Sequence, residues 1–238
     1  MDANSLYQEI VAFCRSNSDE KIVVKYSKFF KEGYDAYGLS TAVFEDKIAV
    51  LKLSQTIDLA LLLEAAPLFL KSGKYEETSF LLVLAESLKE NFDSQTFDAI
   101  EKWFEYGIIN WAHADNLCGS ILPYFFSQRI IPLWRLNDWR ISTKKFQRRS
   151  VPVTLIKLLK STEDLTPFFG LIDPLMMDNE RVVHQGLGWF LREAWKLRPE
   201  ETEVFLLKWK DNSARLIFQY ATEKMDKDNR LKFRKTRD

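Results

Sequence analysis

Apolar residues return along this chain at three- and four-residue intervals almost from end to end, the spacing that lays one stripe along a helix. Leu6, Ile10, Phe13 and Cys14 share a face over residues 5–15. Ser18-Asp19 opens a second helix whose apolar set is Ile22, Val23, Tyr26, Phe29 and Phe30. Gly33 and Gly38, with Tyr34 and Tyr37, mark a loop, and Ser40-Thr41 has N-cap chemistry ahead of Val43, Phe44, Ile48, Val50 and Leu51. Residues 56–70 read as helical, bent or ended at Pro67. Gly73 separates them from a helix over 75–88, and Asp93-Ser94 caps another carrying Phe97, Ile100, Trp103 and Phe104. A helix over 110–126 follows. Beyond a basic stretch, the pattern predicts a helix after Pro152 with Leu155, Leu158 and Leu159, then 162–177, then 180–196 capped by Asp178 or Asn179. Pro199 suits the first turn of a helix over 200–208, and 213–225 closes the series.

Sustained period-two alternation is missing, so the expected class is all-α. About a dozen helices of roughly 10–17 residues, joined by short polar turns, describe stacked helical hairpins. The expected architecture is an irregular α-solenoid with a curved inner surface, one domain over 1–238 ending in a charged tail at about 226–238. No strict sequence period accompanies it, so repeats are not read from identity.

Composition fits this picture: 46% of residues are hydrophobic, 29% charged, and only 8 Gly and 7 Pro interrupt the helices. With 7 Trp and 18 Phe the chain favours broad apolar interfaces between helices. No signal sequence is expected at Met1-Asp2-Ala3-Asn4-Ser5, and the longest apolar run, 59–70, contains Glu64 and Pro67 and is too short for a bilayer. Cys14 and Cys118 form no disulfide framework and suit a reducing, cytoplasmic setting.

Net charge is zero, but its distribution is uneven. Between residues 128 and 160 nine basic residues face the single acid Asp138, and from Lys224 to Asp238 seven face three. The basic block interleaves with aromatics at Trp134, Arg135, Trp139, Arg140, Phe146 and Arg148, a pattern suited to phosphate contacts or, equally, to a solvated face.

Several chemistries drop out. His113 and His184 stand outside any metal-ligand spacing, and phosphate-binding glycine loops and the Gly-x-Ser-x-Gly elbow are missing, so neither metal nor cofactor is expected. Gly186-Leu187-Gly188 lies in a helix, where each glycine costs about 1 kcal/mol relative to alanine. Either a neighbouring backbone approaches closely or a bulky ligand sits beside Trp189. Trp111 and Asp115, four apart on one helix, share a face. Taken alone, they are a packed indole with a solvated carboxylate, or a flat surface paired with a negative charge.

Gly188-Trp189-Phe190-Leu191-Arg192-Glu193 resembles a run near the C-terminal end of the DNA alkylation repair enzymes, the AlkD-like DNA glycosylases. Three further places agree in order: Tyr26-Ser27-Lys28-Phe29-Phe30 with Gly38, the Trp111 and Asp115 pair, and Phe146-Gln147-Arg148. The likeness spans about residues 5 to 225. It implies a right-handed solenoid of HEAT-like hairpins with a concave, positively charged inner surface. It also implies hydrolysis of the N-glycosidic bond of cationic alkylated purines, 3-methyladenine and 7-methylguanine, in duplex DNA. A solenoid of this size can work as a monomer, and no obligate protein partner is expected. Asp115 would be the catalytic carboxylate, Trp111 and Trp189 would line the cleft, and Arg148 would hold the adjacent phosphate. Tyr26, Lys28, Arg140, Lys144, Lys145, Arg149 and Arg192 are the expected further DNA contacts. Such relatives work without a tight base pocket. Two positions depart from the family pattern, where Asn110 and Ala112 replace an aromatic residue and an acid. The alternatives are a DNA-binding relative with little excision activity and a protein-binding helical scaffold.

Overall fold

A computed structural model describes residues 1–236; the last two residues of the expected charged tail lie outside them. Helices and turns account for the regular structure, with no strand among the described residues, and these residues gather into two compact units, 1–116 and 117–236.

The first unit contains α1 (Ala3–Ser16), α2 (Glu20–Ser27), α3 (Thr41–Lys52), α4 (Leu59–Lys71), α5 (Tyr75–Ser87), α6 (Ser94–Glu101), α7 (Trp103–Tyr106) and α8 (Trp111–Asn116). Local chemistry sets most of its boundaries. Asp19, Ser40 and Asp58 accept backbone N–H groups at the starts of α2, α3 and α4, and Asp93 with Thr96 forms a capping box on α6. The apolar stripe of α1 (Leu6, Ile10, Cys14) is fully buried in a core that also holds Leu62, Phe69, Phe80 and Leu81. Tyr7 meets Phe69 edge-on at 5.2 Å, and Phe44 meets Phe80 at 4.4 Å.

Three boundaries differ from the sequence pattern. α2 ends at Ser27, so Phe29 and Phe30 leave the helix that their spacing assigned them to. α4 starts three residues later than expected and runs through Pro67 to Lys71; burial of Ala65, Ala66, Phe69 and Leu70 around the proline outweighs the one hydrogen bond it removes. The helix expected through Trp103 and Phe104 breaks at Lys102.

The second unit opens with a π-helical turn, Leu117–Ile121, inside the stretch expected to be one regular helix. There follow α9 (Leu122–Ser127), a 3₁₀ segment (Leu133–Ile141), α10 (Lys145–Leu158), α11 (Thr166–Ile172), a 3₁₀ turn (Asp173–Met177), α12 (Arg181–Leu197), α13 (Pro199–Trp209), α14 (Arg215–Ala221) and α15 (Lys227–Leu231). α10 begins seven residues before Pro152 rather than after it, with the proline buried in its middle. The end of the chain expected as a plain tail carries α15, capped by Asp226. Asp178 does not cap α12 as an N-cap. It accepts the Glu180 N–H at 2.7 Å and stands just outside the helix.

The two glycines of α12 are settled by packing. A Cβ on Gly188 would lie 2.4 Å from Tyr220 Cβ and 2.7 Å from the Ile217 carbonyl oxygen, both on α14. Close approach of a neighbouring helix, rather than a ligand beside Trp189, therefore explains Gly188. Alanine would gain about 1 kcal/mol of helix propensity, yet forcing α12 from α14 costs about 1–3 kcal/mol. We expect Gly188→Ala to lower the unfolding midpoint by several degrees; an unchanged or raised midpoint would show that α14 yields freely.

Candidate active site

α8 carries Trp111 and Asp115 one turn apart, as their spacing required. Asn110 starts this helix: its Oδ1 accepts the His113 N–H at 2.9 Å, while its Nδ2 stands 2.8 Å from His113 Nδ1. The residue that departs from the family pattern is thus the one that caps the helix. His113 is buried, with Nε2 3.1 Å from the Tyr75 carbonyl oxygen and 3.2 Å from Ser79 Oγ. Burial holds its pKa down at about 4, so the imidazole is neutral and anchors α8 to α5.

The Trp111 indole is fixed from two sides. Its Nε1 donates to the Phe29 carbonyl at 3.1 Å, and its ring stacks on Phe30 at 5.5 Å with the planes 19° apart. Phe30 in turn stacks on Tyr34 at 4.6 Å. These contacts exist because α2 stops at Ser27 and releases Phe29 and Phe30 into the loop. Trp111 keeps 38% of its surface exposed, and Asp115 is half-buried.

Beside Trp111 the first unit encloses a cavity of about 550 Å³. Half of its lining residues are aromatic, Phe30, Tyr34, Phe44, Tyr75 and Trp111 among them, with Ala112 and Glu76 contributing; Asp115 does not line it. Burial pushes the phenols of Tyr34 and Tyr75 up, so both stay protonated hydrogen-bond donors in the physiological range. Glu76 was invisible to sequence reasoning, since an acid in a first helical turn usually faces solvent. Here it is buried, and its carboxylate accepts the backbone N–H groups of Tyr37 (2.9 Å), Gly38 (2.7 Å) and Leu39 (3.2 Å). This latch holds the loop that supplies Phe29, Phe30, Tyr34 and Leu39 to the cavity lining. Gly38 is required within it: its φ is +83°, and a Cβ would lie 2.1 Å from the Asp19 carbonyl oxygen.

Of the other expected site residues, Tyr26 and Lys28 lie exposed in the first unit, at the end of α2 and just after it. The remainder belong to the second unit. Arg148 forms a forked pair with Asp178 (Nε–Oδ2 2.5 Å, Nη2–Oδ1 3.3 Å) and donates from Nη1 to the Ser142 carbonyl at 2.7 Å. Arg192 pairs with Glu193 at 3.0 Å and Glu223 at 2.6 Å. Arg140 donates to the carbonyls of Asn137 and Gly170, and Lys145 stands 3.9 Å from Glu180. Lys144 is exposed at the start of α10, and Trp189 is half-buried on α12. Arg149 departs from the expected role. It is buried, with 6% of its surface exposed, and donates to the Val182 carbonyl at 2.6 Å, so it ties α10 to α12 instead of meeting a phosphate. Four of the block's nine basic residues, Arg140, Lys145, Arg148 and Arg149, thus already face carboxylates or backbone carbonyls within the unit.

The model of a family described as DNA alkylation repair enzyme matches residues 12–225. No curated protein matches the chain. Among solved structures, a predicted DNA alkylation repair enzyme from Enterococcus faecalis is similar with a TM-score of 0.74, covering 89% of this chain and 98% of its own, at 14% identity. At that identity the likeness is one of fold.

Proposed function

The chain belongs to the DNA alkylation repair enzyme family, and on that footing we propose that it is a DNA N-glycosylase releasing cationic alkylated purines, 3-methyladenine and 7-methylguanine, from duplex DNA. A purine alkylated at N3 or N7 already carries the positive charge that makes it a good leaving group, so no general acid is needed. As the bond from C1′ to the ring nitrogen breaks, its electron pair neutralises the base and positive charge grows on the deoxyribose. The Asp115 carboxylate stabilises that charge and orients a water, whose oxygen bonds to C1′ and whose proton passes to the carboxylate or solvent. Trp111 offers the same cation the face of its indole. Trp189 packs on the lesion's sugar and backbone, and Arg148 binds a phosphate that shares it with Asp178. Tyr26, Lys28 and Lys144 are the exposed candidates for further backbone contact, with Lys145, Arg140 and Arg192 available as their present partners yield. The protein acts as a monomeric HEAT-like solenoid, in the cytoplasm and without a cofactor.

The observation that carries this reading is the Trp111 and Asp115 pair on one helix, with the indole locked by the Phe29 carbonyl and Phe30. A second reading, a DNA-binding relative with little excision activity, draws on the internal pairing of Arg148 and Arg192. Incubation of the intact protein with DNA treated with a methylating agent separates them. We expect free 7-methylguanine to appear in the soluble fraction, whereas retention of DNA without release would favour the second reading.

A further inference from the structure

We propose that a docked basic strap at the C-terminal end of the second unit, residues 226–236, is a phosphate-binding surface that grips duplex DNA away from the lesion. The choice of DNA as its partner rests on the reading above. The family match ends at residue 225, so the strap lies wholly beyond it. Five basic residues face two acidic ones along it. It is built into the fold rather than trailing from it. Phe233 is fully buried, and Met225 just ahead of the strap is also buried. Arg230 donates from Nε to the Thr222 carbonyl at 2.8 Å and from Nη2 to the Glu223 carbonyl. Arg215 on α14 donates to the Phe233 carbonyl at 3.4 Å, and the Thr236 N–H donates to Asp211 at 2.7 Å.

These anchors bring cations from three elements to one place. Lys210, at the end of α13, lies 3.4 Å from Thr236 Oγ1, and Arg215 reaches Phe233, so both stand beside Arg234 and Lys235. Asp211, the acid in their midst, already accepts the Thr236 N–H and lies 3.9 Å from Lys210. Asp226 is likewise engaged, since it caps α15 through the N–H groups of Asp228 and Asn229. Lys227, Arg234 and Lys235 are exposed, and among the described residues none of the three forms an ion pair. The central basic block is the reverse, with Arg140, Arg148 and Arg149 engaged by carboxylates or carbonyls. Cations that give up only water and counterions are the ones that supply phosphate affinity. An anchored backbone also spares them the entropy of ordering a loose tail. The strap begins beside an expected DNA contact, for Glu223 accepts Arg192 at 2.6 Å and its carbonyl accepts Arg230.

The test measures binding of the full chain to an undamaged duplex over a range of salt concentrations, so it requires no excision. Lys227, Arg234 and Lys235 are exposed, and the combined variant Lys227→Gln, Arg234→Gln, Lys235→Gln leaves the buried Phe233 in place. We expect that variant to bind about fivefold more weakly or worse, with the slope of log affinity against log salt shallower by about 2–3, since each lost phosphate contact removes about 0.9. Neutralising Lys52, Lys102 and Lys160, exposed residues outside the strap, controls for net charge and should leave both quantities near their native values. Unchanged affinity and slope in the strap variant, or an equal loss in the control, overturns the proposal. Weaker binding to heparin with duplex binding retained overturns DNA as the partner. Native release of 7-methylguanine together with strap-independent DNA binding sinks the strap and leaves the glycosylase reading standing. Strap-dependent DNA binding without release does the reverse.

Discussion

Asp115→Asn should reduce the single-turnover release of 7-methylguanine by about 10²–10³-fold, a loss of roughly 3–4 kcal/mol of transition-state stabilisation. Asparagine has nearly the same shape and sits at the same position of α8, so packing changes little. What disappears is the negative charge, and that charge interacts far more strongly with an oxocarbenium-like sugar than with the intact nucleotide. The loss should therefore fall on the chemical step, with affinity for lesion-bearing duplex changed little. Saturating protein and rapid quenching isolate that step. A variant that releases the base at the native rate would remove Asp115 from the mechanism, and loss of DNA binding instead would recast it as a positioning residue.

His113 should make the protein lose stability as pH falls from about 6.5 to about 4. The tautomer is set by its neighbours. Asn110 Oδ1 accepts a backbone N–H, so its Nδ2, which only donates, must face His113 Nδ1. Nδ1 is then an acceptor, and the single ring proton resides on Nε2, donating to the Tyr75 carbonyl. A second proton on Nδ1 would point at the Asn110 amide hydrogens inside a buried site. Burial accordingly lowers the folded-state pKa to about 4, against about 6.5 in the unfolded chain. Between those values the unfolded state binds a proton that the folded state refuses, so each step down in pH favours unfolding. The full effect is about 3 kcal/mol, complete below pH 4 and absent above pH 6.5. Denaturant unfolding at pH 7 and pH 4.5 measures it, with His113→Gln as the comparison. The variant should lack this part of the pH dependence, and identical slopes in the two proteins would place the acid sensitivity elsewhere. Because His113 lies between Trp111 and Asp115, excision should weaken over the same window as α8 loosens.

Much of the fold was legible because helix formation is a local matter. Asp19, Ser40 and Asp93 announce their helices by cap chemistry that acts over three residues. The misreadings arose where packing outweighed a local rule. Pro67 and Pro152 sit inside buried helices, and Lys102 divides a stretch of unbroken periodicity.

The candidate site divides along the same line. Trp111 and Asp115 share a helix face by spacing alone, and the family resemblance rests in part on the same two residues. Nothing local said that Phe30 would stack against Trp111, that Glu76 would latch the loop, or that His113 would be buried and neutral. Each depends on residues 38–82 positions apart in the chain. Charge shows the contrast most clearly. Nine basic residues in one block are plain in the sequence, but their partners are not, and Arg148 and Arg149 meet theirs 30 and 33 residues away. The sequence by itself thus determined the all-α class, most helix boundaries and the Trp111–Asp115 pair, since these follow from interactions within a few turns. Only the tertiary structure decided which aromatics enclose the cavity, why Gly188 must be glycine and which cations stay exposed. Those depend on long-range contacts, which leave no periodic trace in the chain.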